Sequence, residues 1–107
     1  MGRPMAESLL RAGHILRVYD ARAQAAGPLI AAGATLAKSP ADAARGVDIV
    51  FTSLPGPAEV EAISSVLLES IPRGAVWADL TTNSPEVVRR LHAVFAERGI
   101  ALLDAPV

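Results

Sequence analysis

The 107-residue sequence predicts an α/β fold, a doubly wound parallel sheet that is incomplete, and three observations predict it. Strand-like apolar runs alternate with helical stretches along the whole chain, the order that produces βαβ units. Hydrophobic residues make up 51% of the chain and aromatics only 4%, so the core must be built of Ala, Val, Leu and Ile, as in parallel sheets buried on both faces. The loop residues Asp20, Pro55, Thr81, Thr82 and Asp104 all fall at the carboxyl ends of expected strands, the edge at which doubly wound sheets bind ligands. A chain of this length is one domain at most, and 1–107 is read as a single unit.

Residues 2–12 read as a helix closed by Gly13, with Met5, Leu9 and Leu10 on one apolar face. Residues 15–19 follow as a β-branched and aromatic strand ending at Asp20. The Ala-rich stretch 21–32 is helical in tendency, but Gly27-Pro28 must break it or start a second turn, because proline cannot donate the intrahelical hydrogen bond. Residues 34–37 are at best a short edge strand. Ser39-Pro40-Ala41-Asp42 supplies an N-cap, an N1 proline and a first-turn acid for a short helix closed by Gly46.

Residues 47–54 form the strongest strand pattern, a nearly continuous apolar run expected to be buried on both faces and ending at Pro55-Gly56-Pro57. Residues 58–71 carry Val60, Ile63, Val66, Leu67 and Ile71 at helical spacing, and residues 75–80 make the next strand, with Trp77 in the core. Ser84-Pro85-Glu86 opens the last helix, with Val87, Val88, Leu91, Val94 and Phe95 on one face and Gly99 as C-cap. Residues 100–103 are the final strand.

Composition narrows the function classes. The formal net charge is −1 with both signs scattered, so no basic stripe is available to neutralise nucleic-acid phosphates. With 0 cysteines there is no disulfide, thiolate metal site or cysteine nucleophile. His14 is expected on a surface turn and His92 on the exposed side of the last helix, neither with a partner at metal-ligand spacing. No apolar run approaches the roughly 18 residues a membrane helix needs, and a cytoplasmic location is the default expectation.

The chemistry-bearing pattern is distributed. A dinucleotide fold begins with a strand and a G-x-G-x-x-G turn whose glycines let the backbone approach a pyrophosphate at a helix N-terminus. Only the final glycine, Gly2, is present here, followed by a helix, a second strand after Gly13, and an acid, Asp20, where that strand should end and grip a ribose 2′-hydroxyl. Taken singly, each feature has a plainer reading. Gly2 and Gly13 can be packing and capping glycines, Asp20 a turn residue, Pro55-Gly56-Pro57 a strand-to-helix turn, and Thr81-Thr82 a polar loop before a cap.

In combination the segments resemble the 3-hydroxyisobutyrate dehydrogenase family, the β-hydroxyacid dehydrogenases that share an NAD-binding domain with 6-phosphogluconate dehydrogenase. Met1-Gly2-Arg3-Pro4-Met5-Ala6-Glu7-Ser8-Leu9 is similar to the later part of that family's N-terminal signature, without its preceding strand and Gly-Leu-Gly. Ala12-Gly13-His14, Val18-Tyr19-Asp20 and Ser53-Leu54-Pro55-Gly56-Pro57 are similar to later segments. Asp79-Leu80-Thr81-Thr82-Asn83-Ser84-Pro85 resembles the family's Asp-x-Ser-Thr-x-x-Pro element, with Thr81 for serine, and Asp104-Ala105-Pro106-Val107 the start of Asp-Ala-Pro-Val-Ser-Gly-Gly.

That resemblance implies a Rossmann-like, partial NAD(P)-binding domain of an oxidoreductase acting on a small β-hydroxyacid or its semialdehyde, within a homo-oligomeric parent. It implies Met1 and Gly2 beside the pyrophosphate, Asp20 on the adenosine ribose, Leu54 and Pro55 against the cofactor, Thr82 near the nicotinamide and Thr81 at the substrate. An acid at position 20 favours NAD, although Arg22 can accept the 2′-phosphate of NADP. No catalytic residue is assigned within the chain, because the family's substrate loop, catalytic lysine and helical second domain correspond to segments beyond Val107.

Two rivals stay open: a binding module that keeps the fold without chemistry, and an imine reductase, which carries aspartate or tyrosine in place of the lysine. With a strand order of 3-2-1-4-5-6, the missing first strand would sit mid-sheet, leaving two apolar edges unpaired. The 107-residue chain by itself is therefore expected to be marginally stable and to bind NAD weakly or not at all.

Overall fold

The computed structural model describes residues 2–105; Met1, Pro106 and Val107 lie outside them. The chain divides into two compact units, Met1–Ala43 and Ala44–Val107.

In the first unit, α1 (Gly2–Arg11) is followed by Gly13 at φ +89°, a left-handed turn that only glycine enters without strain. The expected strand at 15–19 contracts to β1 (Arg17–Val18), and Ile15 is exposed. Gly27-Pro28 starts a new turn rather than ending the helical stretch: a 3₁₀ turn (Ala23–Ala26) passes into α2 (Gly27–Ala31), with Pro28 in its first turn, where no amide donor is required. β2 (Thr35–Leu36) pairs in parallel with β1. The short helix α3 (Pro40–Ala44) begins as expected, the Asp42 amide donating to Ser39 Oγ at 3.0 Å.

The second unit is a parallel sheet of β3 (Ile49–Thr52), β4 (Val76–Asp79) and β5 (Ala101–Asp104), in that order. Its crossovers are α4 (Pro57–Ser70) and α5 (Pro85–Glu97). Right-handed crossovers that step the same way across a sheet place their helices on the same face. Trp77 and Leu102 accordingly share one buried cluster with Val60, Leu67 and Ile71 from the first crossover and Leu91 and Phe95 from the second. The Trp77 and Phe95 rings lie 4.9 Å apart, tilted by 54°.

The expectation that residues 47–54 are buried on both faces does not hold within this unit. Only the face of Val50, Trp77 and Leu102 is covered; Ile49 is 50% exposed, Phe51 44% and Leu103 55%, because both crossover helices lie on the other side. Val66 and Val94 also fall off the buried stripes of their helices and stay partly exposed. Among the described residues, β1 is laddered only to β2 and β3 only to β4. Each unit thus carries its own parallel sheet, β1-β2 in the first and β3-β4-β5 in the second.

Ser84 caps α5, its Oγ accepting from the Val87 amide at a long 3.5 Å. Ser84→Ala should cost about 0.5–1 kcal/mol, read as a fall of a few degrees in the midpoint of a thermal melt. A shift beyond ten degrees would mean that Ser84 does more than cap the helix.

Candidate functional site

The last residues of the three strands of the second unit, Thr52, Asp79 and Asp104, stand in register across the sheet at its carboxyl edge. Among the described residues, the buried polar side chains, Thr52, Asp79 and Thr81, collect at this edge. Water has been removed from all three, so each must find partners within the protein.

Asp79 is 2% exposed and accepts from three donors. Thr52 Oγ1 donates to its Oδ1 at 2.8 Å and the Thr81 amide to the same oxygen at 3.1 Å. Asn83 Nδ2 donates to its Oδ2 at 3.2 Å. Thr52 Oγ1 in turn accepts from Trp77 Nε1 at 2.9 Å, tying the network to the core. Thr81, 3% exposed, turns its Oγ1 to accept from the Leu54 amide at 2.9 Å. Asn83 Oδ1 accepts from the Ser84 amide at 2.8 Å, and so joins the network to the cap of α5.

This network locks the turn after β3 beside the turn after β4. Leu54 is half-buried, Pro55 is exposed, and Gly56 is the extended N-cap of α4. Thr82 projects into solvent at the second turn, as does Asp104 at the end of β5. Two helix N-termini open beside exposed backbone turns, a setting suited to phosphate oxygens and polar ligand groups. Leu54, Pro55, Thr81 and Thr82 are thus brought together, with Thr81 anchoring the arrangement and Thr82 and Pro55 presented outward.

Asp20 belongs to the other unit. It lies exposed just beyond β1, its Oδ1 accepting from the Arg22 amide at 2.8 Å, the hydrogen bond of an Asx turn. Its plain reading as a turn residue is therefore realised, on an exposed side chain. Gly2 begins α1, and Met1 lies outside the described residues. His14 and His92 are both exposed.

The sequence assigned no role to Thr52, Asp79 or Asn83, although Asp79 opens and Asn83 lies within the Asp-x-Ser-Thr-x-x-Pro-like element. The available signal was a polar residue closing each of two otherwise apolar strands, Thr52 and Asp79, which a parallel register must set side by side.

The family model for the NAD binding domain of 6-phosphogluconate dehydrogenase matches residues 1–107. An NAD-dependent L-serine dehydrogenase of Pseudomonas aeruginosa is 43% identical, with 100% of this chain and 37% of that protein covered. A 3-hydroxyisobutyrate dehydrogenase of Mycobacterium tuberculosis, solved with L-serine, is 33% identical, covers 100% of this chain and 37% of its own, and superposes with a TM-score of 0.94. An imine reductase of Streptomyces aurantiacus is 28% identical over 94% of this chain and 35% of its own, with a TM-score of 0.84. The chain thus spans little more than a third of the length of these relatives.

Proposed function

The chain belongs to the family of the NAD binding domain of 6-phosphogluconate dehydrogenase, and from that premise we propose that it is the dinucleotide-binding part of an NAD(P)-dependent oxidoreductase acting on a small β-hydroxyacid or its semialdehyde. The observation that carries the proposal is the pair of turns locked side by side at the carboxyl edge of a parallel sheet by the Leu54 to Thr81 hydrogen bond. The residue types suit a dinucleotide: in the second unit Leu54 and Pro55 offer apolar surface and Thr82 a hydroxyl, and in the first unit Asp20 offers a carboxylate of the kind that accepts from ribose hydroxyls.

In this reading Met1 and Gly2 lie beside the pyrophosphate, Asp20 holds the adenosine ribose, Leu54 and Pro55 border the cofactor and Thr82 reaches its nicotinamide end. Thr81 serves the substrate end through the turn that it anchors. The nicotinamide supplies hydride transfer, and the protein supplies binding, orientation and exclusion of water. Substrate capture, proton transfer to a downstream lysine, a homo-oligomeric assembly and a cytoplasmic location belong to the same proposal for the longer protein. Among the described residues, no helix is long and apolar enough to cross a membrane.

The second reading, an imine reductase, is favoured by the likeness to the Streptomyces aurantiacus enzyme. The test is to express the complete reading frame that contains this chain, titrate it with NAD and NADP, and assay short hydroxyacids and cyclic imines. Binding of NAD with oxidation of a short 3-hydroxyacid is expected. Turnover of an imine with NADPH would assign the second reading, and cofactor binding with neither reaction would leave a binding module.

A further inference from the structure

We propose that Asp79 is the positioning residue of the dinucleotide-binding edge, its buried carboxylate setting the turn after β3 and the turn after β4 in one arrangement. The inference rests on the dinucleotide reading, and concerns a residue that touches no cofactor. Asp79 closes β4 and is 2% exposed, so it acts through its neighbours.

Every side-chain hydrogen bond at Asp79 runs toward the carboxylate. Oδ1 accepts from Thr52 Oγ1 and the Thr81 amide, and Oδ2 accepts from Asn83 Nδ2. All three partners present protons, so the site needs an acceptor on both oxygens, which a carboxylate provides and a carboxamide does not. From the Thr81 amide the constraint passes to Thr81 Oγ1 and so to the Leu54 amide. From Asn83 it passes to the Ser84 amide and the start of α5. Leu54-Pro55 and Thr82, the residues proposed to meet the cofactor, are therefore held by one buried group. Its other anchor is Trp77 Nε1 through Thr52, which fixes the turns to the core.

Asp79→Asn tests this because no rotamer of the amide suits the site. With its NH₂ toward Asn83 it sets donor against donor, and with its NH₂ toward Thr81 it does the same there. The remedy is reciprocal. Adding Asn83→Asp supplies a carboxylate that accepts from the new amide and from the Ser84 amide, so every hydrogen bond of the edge is restored with the charge moved by one partner.

The experiment uses the protein of the complete reading frame and reads amide hydrogen exchange at Leu54, the Kd for NAD by titration, and the global melting midpoint. D79N is expected to raise Leu54 exchange and weaken NAD binding by roughly tenfold, the scale of a lost hydrogen bond to a charged group. D79N/N83D is expected to return both to within about twofold of the parent. Thr81→Val provides an independent arm should D79N fail to fold: it removes the acceptor for Leu54 alone, and should raise Leu54 exchange while leaving the Val87 amide protected.

A lowered melting midpoint with Leu54 exchange unchanged, or a double variant that recovers neither exchange nor affinity, overturns the proposal. If the parent protein binds neither NAD nor NADP, the dinucleotide reading fails by itself. The exchange at Leu54 and its rescue then still decide whether Asp79 couples the two turns.

Discussion

Phe95→Ala is expected to destabilise the second unit by about 3–5 kcal/mol, the largest effect of any single side-chain truncation proposed here. Phe95 is buried on α5, in the cluster that joins both crossover helices to the sheet, and its ring lies 4.9 Å from that of Trp77. Truncation to Ala removes the apolar area, opens a cavity against Trp77 and forfeits the aromatic pair, the last alone worth about 0.5–1.5 kcal/mol. Domains commonly hold only about 5–15 kcal/mol in total, so the variant should be close to unfolding at room temperature. The chain has 1 tryptophan, and it is the buried Trp77, so its emission reports this unit directly during urea denaturation. Phe95→Leu, which keeps much of the volume, should lose no more than about 1.5 kcal/mol. A midpoint for F95A indistinguishable from the parent would mean that the cluster does not hold the unit together.

The same cluster explains which parts of the fold were legible in the sequence. Helical stripes such as Val60, Leu67 and Ile71, and proline starts such as Ser84-Pro85, are local signals, and the elements they predict appear with boundaries within a residue or two. Strand lengths are set by partners, which local sequence does not encode. The apolar pattern at 15–19 supports a longer strand than β1, but a strand is as long as its ladder, and among the described residues β1 has only the two-residue β2 beside it. The apolar run at 47–54 likewise suggested burial on both faces. Within its own unit only one face is packed, since both right-handed crossovers return on that side.

The site divides in the same way. The alternation of elements locates turn residues, which sets Asp20, Pro55, Thr81, Thr82 and Asp104 at strand carboxyl ends, while Leu54 enters only through the family resemblance. The Thr52–Asp79 and Leu54–Thr81 hydrogen bonds each join residues 27 apart in sequence and depend on the register between strands, a tertiary property, whereas those from Thr81 and Asn83 to Asp79 are local. Thr81 illustrates the difference. Its position in the motif suggested the substrate, whereas its hydroxyl is buried against the Leu54 amide and its neighbour Thr82 is the exposed one.

Asp20→Asn should shift the preference of the complete protein from NAD toward NADP by roughly ten- to a hundredfold in the ratio of their Kd values, the scale of one or two hydrogen bonds to a charged group. Asp20 stands exposed beyond the carboxyl end of β1, and in the proposed reading its carboxylate accepts hydrogen bonds from the hydroxyls of an adenosine ribose and repels a 2′-phosphate. The local fold survives the substitution, because an Asn side-chain oxygen can accept from the Arg22 amide just as Asp20 Oδ1 does at 2.8 Å. The change therefore removes the charge and leaves the turn. With the carboxylate gone, the exposed Arg22 would be free to pair with a 2′-phosphate without a competing anion two residues away, so NADP affinity should rise while NAD affinity falls. Asp20→Ala loses both the charge and the turn, and should weaken the two cofactors together. If D20N leaves the ratio of Kd values unchanged, Asp20 is a turn residue and nothing more, and the ribose must be held elsewhere.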